Sequence, residues 1–590
     1  MLRAPDVRRG LALALALALP GPLCRAQDPK AALDSLGEAY WQARLDRFPE
    51  RATILGFSGP RNGRLEDLSP AGFAQWDERL RGFQRAAAGI DAGRLERADR
   101  VNLEMLTDEI GNALAVRTCR RELWSVDQLA GPQVALADLA ELQPVAAPAE
   151  RALLLARWRR VGAYLGQHMV NLRFGLDRGY GAAGINVQRV IGQLDRLAAQ
   201  PVDSSPFYAP ARRAGQAAPA FARTLRAVVR DSVLPAFRRY RDFLATTYAG
   251  RARPEAGIRW LPDGVACYRA LIRRHTSLEL SADEIHRIGL DDVAAVRGEM
   301  LEVVRRRFHT ENLDSVLRAL PADSTMMFAT RAEVFAAARH AVARMEAKLP
   351  ELIGRLPKQR LVVEEMPAYE ERDAPAAYYY PGSADGSRPG RYLVNTSEPG
   401  QRPRYTAEVL AFHEGVPGHH IQLALSQELP LPSFRRYGSG STALVEGWAL
   451  YTERLADEAG MYSGDLDRLG MLIFQSWRAC RLVIDTGIHA LGWTREQAVD
   501  YLLANTGLSR LDAENEVDRY IADPGQALAY RLGQREITRL RDEARKALGP
   551  RFDLRRFHDV VLGDGAVTLP ILDENVRGWI AAEQGSSAGR

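Results

Sequence analysis

The sequence predicts a mainly α-helical protein interrupted by one small β-sheet, and three observations carry that expectation. Apolar residues recur at helical spacing through most of the first 350 positions, and Ser281 with Glu284 and Thr330 with Glu333 have the spacing of helix-opening capping boxes. Only residues 357 to 398 switch to short runs rich in Val and Tyr, RLVVEEMP, AAYYYPG and GRYLVN, bounded by Pro, Gly and Asp.

Residues 1 to 26 read as a secretory signal peptide. Arg3, Arg8 and Arg9 form a basic start, LALALALAL at 11 to 19 is too short to span a bilayer, and Ala26 precedes a cleavage point before Gln27. The expected destination is periplasmic or extracellular. Leu23 stands where a lipoprotein would carry a small residue before Cys24, which argues against a lipid anchor. No later apolar run is long enough for an integral membrane segment.

The signal segment holds four Arg and one Asp, so its removal lowers the formal charge of +5 to near +2. The arginines that remain are scattered with no dense basic block, which argues against nucleic acid as a partner. Cys119, Cys267 and Cys480 remain after Cys24 leaves, and being distant and odd in number they predict no disulfide framework. A chain of 590 residues can bury a large core without staples.

Residues 27 to 350 form an N-terminal helical half. Leu95, Ala98, Leu103, Leu106, Ile110 and Leu114 make one stripe, and Leu153, Leu155, Trp158, Val161, Leu165 and Met169 another. Both read as core. Pro and Gly punctuate connections at 130 to 148, 200 to 218 and 249 to 264, and no repeat or low-complexity linker cuts the chain. Residues 351 to 590 continue the same unit as its metal-binding, catalytic half, with the short sheet expected to border the cleft.

That half holds AFHEGVPGHHIQ, 411 to 422, and ALVEGWALYTE, 443 to 453. Three of the chain's ten histidines, His413, His419 and His420, fall within eight positions beside Glu414, a pattern hard to attribute to packing. On an ideal helix His419 lies about 120° round from His413, while His420 lies roughly 10 Å along the axis, so neither could share an ion with His413. Pro417 resolves this, because its ring clashes with the carbonyl of His413 and a helix must kink or stop there. Gly418 is then free to turn before a new helix begins near His419. Spacing alone leaves open whether His419 or His420 joins His413. Glu446 sits among Leu444, Val445, Trp448, Ala449 and Leu450, and a carboxylate in so apolar a helix needs a cation or a donor. Together these are the ligands of one Zn2+ ion per chain.

Two further stretches carry candidates. Arg481, Asp485 and His489 fall four residues apart and would line one side of a helix, as an Arg–Asp pair with a capping His or as substrate-binding groups. Tyr530, after Asp523-Pro524-Gly525, could donate its phenol to a developing oxyanion or serve as core.

FHEGVPGHHIQ, VEGWALYTERL, PGSADGSRPGRYLVNT, RLVIDTGIHALGW and PGQALAYRLGQREITRLR resemble the signature blocks of the bacterial family catalogued as domain of unknown function 885, regarded as zinc peptidases of the gluzincin kind. The resemblance spans about 35 to 580 and implies a large helical zinc-peptidase-like fold. It implies His413, one of the two adjacent histidines and Glu446 as ligands with Glu414 as general base, and matching Gly418-His419 to the Gly-His that ends many such motifs favours His419. His420 is then left for substrate, and Arg388 and Asn395, in the block RPGRYLVNT, become substrate-binding candidates.

The expected activity is hydrolysis of peptide bonds in short peptides, with Glu414 moving the proton of an activated water and Tyr530 or His489 stabilising the oxyanion. A metal-dependent amidase or esterase acting on small or cell-wall substrates, and a non-catalytic metal- or peptide-binding protein, are the rival readings.

Overall fold

The computed structural model describes residues 28–585 except 368–370, 372–374 and 439. The expected signal peptide, 1–26, lies outside the described residues. The fold is mainly α-helical with a single three-stranded sheet among the described residues.

The predicted stripes are core-facing with a difference of detail. Leu103, Leu106 and Ile110 are buried on the helix Arg97–Ala115, but Ala98 is exposed. The second stripe belongs to two helices, Pro148–Trp158 and Val161–Leu176, which break at Arg159-Arg160. Helix α1, Ala282–Phe308, opens with the full capping box: the Ser281 hydroxyl accepts from the Glu284 N–H and the Glu284 carboxylate from the Ser281 N–H. At Thr330 only half of the box forms, because the Glu333 carboxylate turns to the Ala329 N–H and to Arg404.

Strands β1 (Leu361–Glu365), β2 (Ala377–Tyr380) and β3 (Gly390–Val394) form a sheet in the order β1-β3-β2. β2 and β3 make an antiparallel hairpin, and β1 lies parallel to β3. Beyond the sheet come α2 (His419–Glu428), α3 (Thr442–Glu458), α4 (Asp465–Thr486), α5 (Arg510–Ala522) and α6 (Ala529–Leu548).

Two glycines let α3 and α6 touch backbone to backbone. A Cβ on Gly533 would lie 1.8 Å from the Ala443 carbonyl oxygen, and one on Gly447 would meet the Gly533 backbone at 2.5 Å. Any side chain there would push the helices apart, and with them Glu446 on α3 and Tyr530 on α6.

The first helices share the core of the C-terminal half: Tyr40, Trp41, Leu80 and Leu106 pack in one cluster with Met345, Phe412, Trp448, Ile537 and Leu572. A separate apolar cluster lies within residues 126–248. One expectation is overturned, since Cys119 and Cys267 are joined in a disulfide across 148 residues of sequence. Separation along the chain argued against pairing, but folding places both sulfurs in one apolar cluster with Trp124, Tyr268 and Leu271. Cys480 is free and buried.

Candidate metal centre

The helix Ala407–Leu410 widens into a π-helical turn over Ala411–Gly415, a distortion common at functional sites, and carries His413 and Glu414 on it. The helix then stops at Val416-Pro417, and α2 starts at His419. Gly418 is needed for room, since its φ is −72° but a Cβ there would sit 1.9 Å from the His413 carbonyl oxygen. The chain can therefore fold back tightly enough to bring the His419 ring to 4.9 Å from the His413 ring, nearly perpendicular to it.

Glu446 reaches the pair from α3. Its Oε2 lies 3.5 Å from His419 Nε2 and 4.0 Å from His413 Nε2, and the three ligand atoms fall within 4.8 Å of one another. Atoms held about 2.1 Å from a tetrahedral ion are roughly 3.4 Å apart, so a small contraction would seat a cation. Two imidazoles and one carboxylate suit zinc and leave a fourth position for a substrate or water. His419 Nδ1 is buried with no hydrogen-bond partner among the described residues.

The second ring nitrogen of His413 is held as metal-binding histidines usually are. Nδ1 lies 2.8 Å from Glu453 Oε1, and Glu453 Oε2 accepts from Gln475 Nε2 at 2.7 Å. Gln475 Oε1 accepts in turn from Arg531 Nη1 and Gln534 Nε2, and Arg531 pairs with Asp292 at 2.8 Å. Glu453 is fully buried. Glu453 lies seven residues after Glu446, two turns on along the same helix face, and that spacing is the one signal for it in the sequence.

Burial pushes the Glu414 carboxyl up to about 7, helped by the charge of Glu446 and opposed by His419 and by the Tyr379 N–H that its Oε2 accepts at 2.9 Å. That N–H is on the outer edge of β2, so the sheet does border the cluster, through an edge strand. Burial also pushes Glu453 up to about 7 against the pull of Arg478 and Gln475, and pushes His413 well down. Glu446 would be pushed up by burial, but the hydrogen bond and charge of His419 bring it down to about 2.

Tyr530 stacks on His413 with ring centroids 6.4 Å apart, and Arg481 lies 4.3 Å over the Tyr530 ring, so both adjoin the cluster. Arg481 and Asp485 do not pair with each other. Arg481 bonds the Tyr520 hydroxyl and Glu516, while Asp485 accepts from the Tyr268 hydroxyl and the Gly525 N–H, fixing the turn that precedes α6.

Four other candidates are taken up by the scaffold. His489 is fully buried, with Nδ1 accepting from the Ile258 N–H and Nε2 facing the Tyr520 carbonyl, which leaves no ring nitrogen for an oxyanion. His420 points away from the cluster to the Tyr379 hydroxyl at 3.1 Å and the Gln359 carbonyl at 3.1 Å, tying α2 to the sheet. Asn395 donates to the Glu371 and Pro375 carbonyls and accepts from Ser397, which fastens the end of β3. Arg388 donates to the Ile54 carbonyl and anchors the hairpin on the N-terminal helices.

The architecture is that of a mainly helical protein with a two-histidine, one-carboxylate cluster beside a sheet edge. The chain belongs to the family DUF885, described as bacterial protein of unknown function, whose model matches residues 49–576. It is similar to the solved structure described as "the putative lipoprotein from Colwellia psychrerythraea", with 28% identity, 94% of this chain and 100% of that chain covered, and a TM-score of 0.89. The fold is also that of "a putative lipoprotein of unknown function from Shewanella oneidensis", at 20% identity, 92% of this chain and 99% of that chain covered, and a TM-score of 0.72. No curated protein matches.

Proposed function

We propose that the protein is an exported, zinc-dependent hydrolase of the gluzincin kind that cuts peptide bonds in short peptides. The observation that carries the reading is the convergence of His413, His419 and Glu446 with the Glu414 carboxylate beside them and Glu453 behind His413. When bound, the cation supplies Lewis-acid polarisation of the scissile carbonyl and lowers the pKa of water from near 16 to about 7. Glu414, kept by burial at a pKa close to neutrality, takes a proton from the attacking water and passes it to the leaving nitrogen. Glu453 accepts the His413 Nδ1 proton and so keeps Nε2 turned to the cluster. Tyr530, whose ring stacks on His413, supplies the phenol that donates to the oxyanion. The outer edge of β2 offers backbone groups to an extended chain, as edge strands do for bound peptides.

Export is supported by the signal-like residues 1 to 26, by a disulfide of the kind that persists in oxidising compartments, and by the lipoprotein description of the two similar structures. No described helix is long and apolar enough to cross a membrane.

The test is Glu414→Gln assayed on a panel of dipeptides, longer peptides and N-acyl amino acids, with zinc content measured on the same samples. The variant should keep its metal and lose about 10²- to 10⁴-fold in kcat. Turnover equal to wild type would remove Glu414 from the mechanism, and metal without turnover in wild type would favour a binding protein.

A further inference from the structure

Two buried guanidiniums beside the metal cluster are short of carboxylate partners. Arg481 is 3% exposed and shares Glu516 with Arg519, at 3.2 Å and 3.0 Å respectively. Its Nη1 has no hydrogen-bond partner among the described residues. Arg478, one turn earlier on α4 and 5% exposed, has no carboxylate within 4.0 Å among the described residues, and its Nε and Nη1 are likewise unpartnered. Burying a guanidinium without an anion is costly, and removing such donors from water is tolerated where a charged ligand arrives to meet them. Its flat faces are well packed, over Phe474 at 4.5 Å and Trp477 at 4.4 Å, which holds the donors in a fixed plane.

The pair is next to the reacting centre. Arg481 lies on the face of Tyr530, and Tyr530 stacks on His413. The charge of Arg478 acts on His413, Glu414, His419 and Glu453. Phe474, over which Arg478 lies, is also on the wall of a cavity of about 720 Å³ that neither arginine lines.

We propose that Arg478 and Arg481 form a receptor for the C-terminal carboxylate of a peptide, which makes the substrate class short peptides with a free C-terminus and places the scissile bond near that end. Planar guanidiniums recognise carboxylates through paired N–H donors, and a buried pair with spare donors does so with little competition from water. Arg478 and Arg481 are binding residues in this assignment. It rests on the hydrolase reading for the nature of the ligand, while the vacant donors are independent of it.

The experiment measures binding by calorimetry to zinc-loaded Glu414→Gln protein, with N-acetyl-Ala-Ala-Ala, its C-terminal amide, and N-acetyl-Ala-Glu-Ala amide as probes. The free acid should bind at least about tenfold more tightly than the amide. Adding Arg478→Met, which keeps the apolar stem over Phe474, should abolish most of that preference, and Arg478→Lys should restore part of it. Equal binding of acid and amide overturns the assignment. So does a preference unchanged in both Arg478 variants, which would put the carboxylate on the metal, and so does an acidic side chain that substitutes fully for the free terminus. A preference that depends on Arg478 in a protein whose wild type hydrolyses no peptide sinks only the hydrolase reading. Cleavage of acid and amide peptides at equal rates sinks only the carboxylate receptor.

Discussion

Replacing Glu453 by Gln tests the proposed metal centre without touching a proposed ligand. The carboxylate is fully buried and accepts from His413 Nδ1 at 2.8 Å and from Gln475 Nε2 at 2.7 Å, so both of its oxygens are used as acceptors. An amide has the same shape but only one acceptor, and its NH2 must face either the His413 N–H or the Gln475 NH2. Gln475 cannot easily turn over, because its Oε1 is already held by Arg531 and Gln534. One donor is left against another donor, and the negative charge that raises the basicity of His413 is gone. Losing such a partner weakens metal binding by about 10- to 100-fold, or about 1.4 to 2.7 kcal/mol. Competition with a chelator of known zinc affinity reads this directly, with circular dichroism and the thermal midpoint as controls for folding. A Kd within about twofold of wild type, in a variant that folds normally and beside a Glu446→Ala control that has lost its zinc, would refute the argument that Glu453 holds His413.

Two further outcomes follow from packing and burial. A Cys119→Ser, Cys267→Ser double variant should lose about 2 to 4 kcal/mol of stability in denaturant titration, since the bridge closes a loop of some 150 residues in the unfolded chain; unchanged stability would mean the bridge restrains nothing. Burial lowers the His558 ring to about 4 and the His489 ring to about 3. The unfolded chain takes up these protons near pH 6.5, so the contribution of each neutral ring to stability is intact above about pH 7 and is lost as pH falls through those lower values. Ring nitrogen shifts in histidine-labelled protein should show both imidazoles neutral at pH 5, and a protonated ring there would contradict the burial argument.

The parts of this protein legible in the sequence are those that local chemistry decides. Helical periodicity and the Ser281 box marked helices that form, and the Val- and Tyr-rich runs marked the sheet. Pro417 cannot continue a helix past His413, and with Gly418 free to turn the local sequence points to a new helix near His419, where α2 starts. The residues alone point to His413 and Glu446 but leave His419 and His420 open, and it is the fold that brings His419 to the other two.

Tertiary structure decided everything that depends on which distant backbone comes to lie beside a side chain. His489 and Asn395 look available on their own segments, yet Ile258, Tyr520, Glu371 and Pro375 use up their polar atoms. His420, beside His419 in sequence, faces the sheet because consecutive helical residues point about 100° apart. The Cys119–Cys267 bridge joins positions whose closeness only the packed core creates. Arg478 looked like any other arginine in a helix. Its burial next to Arg481, with donors to spare, exists only in the packed fold.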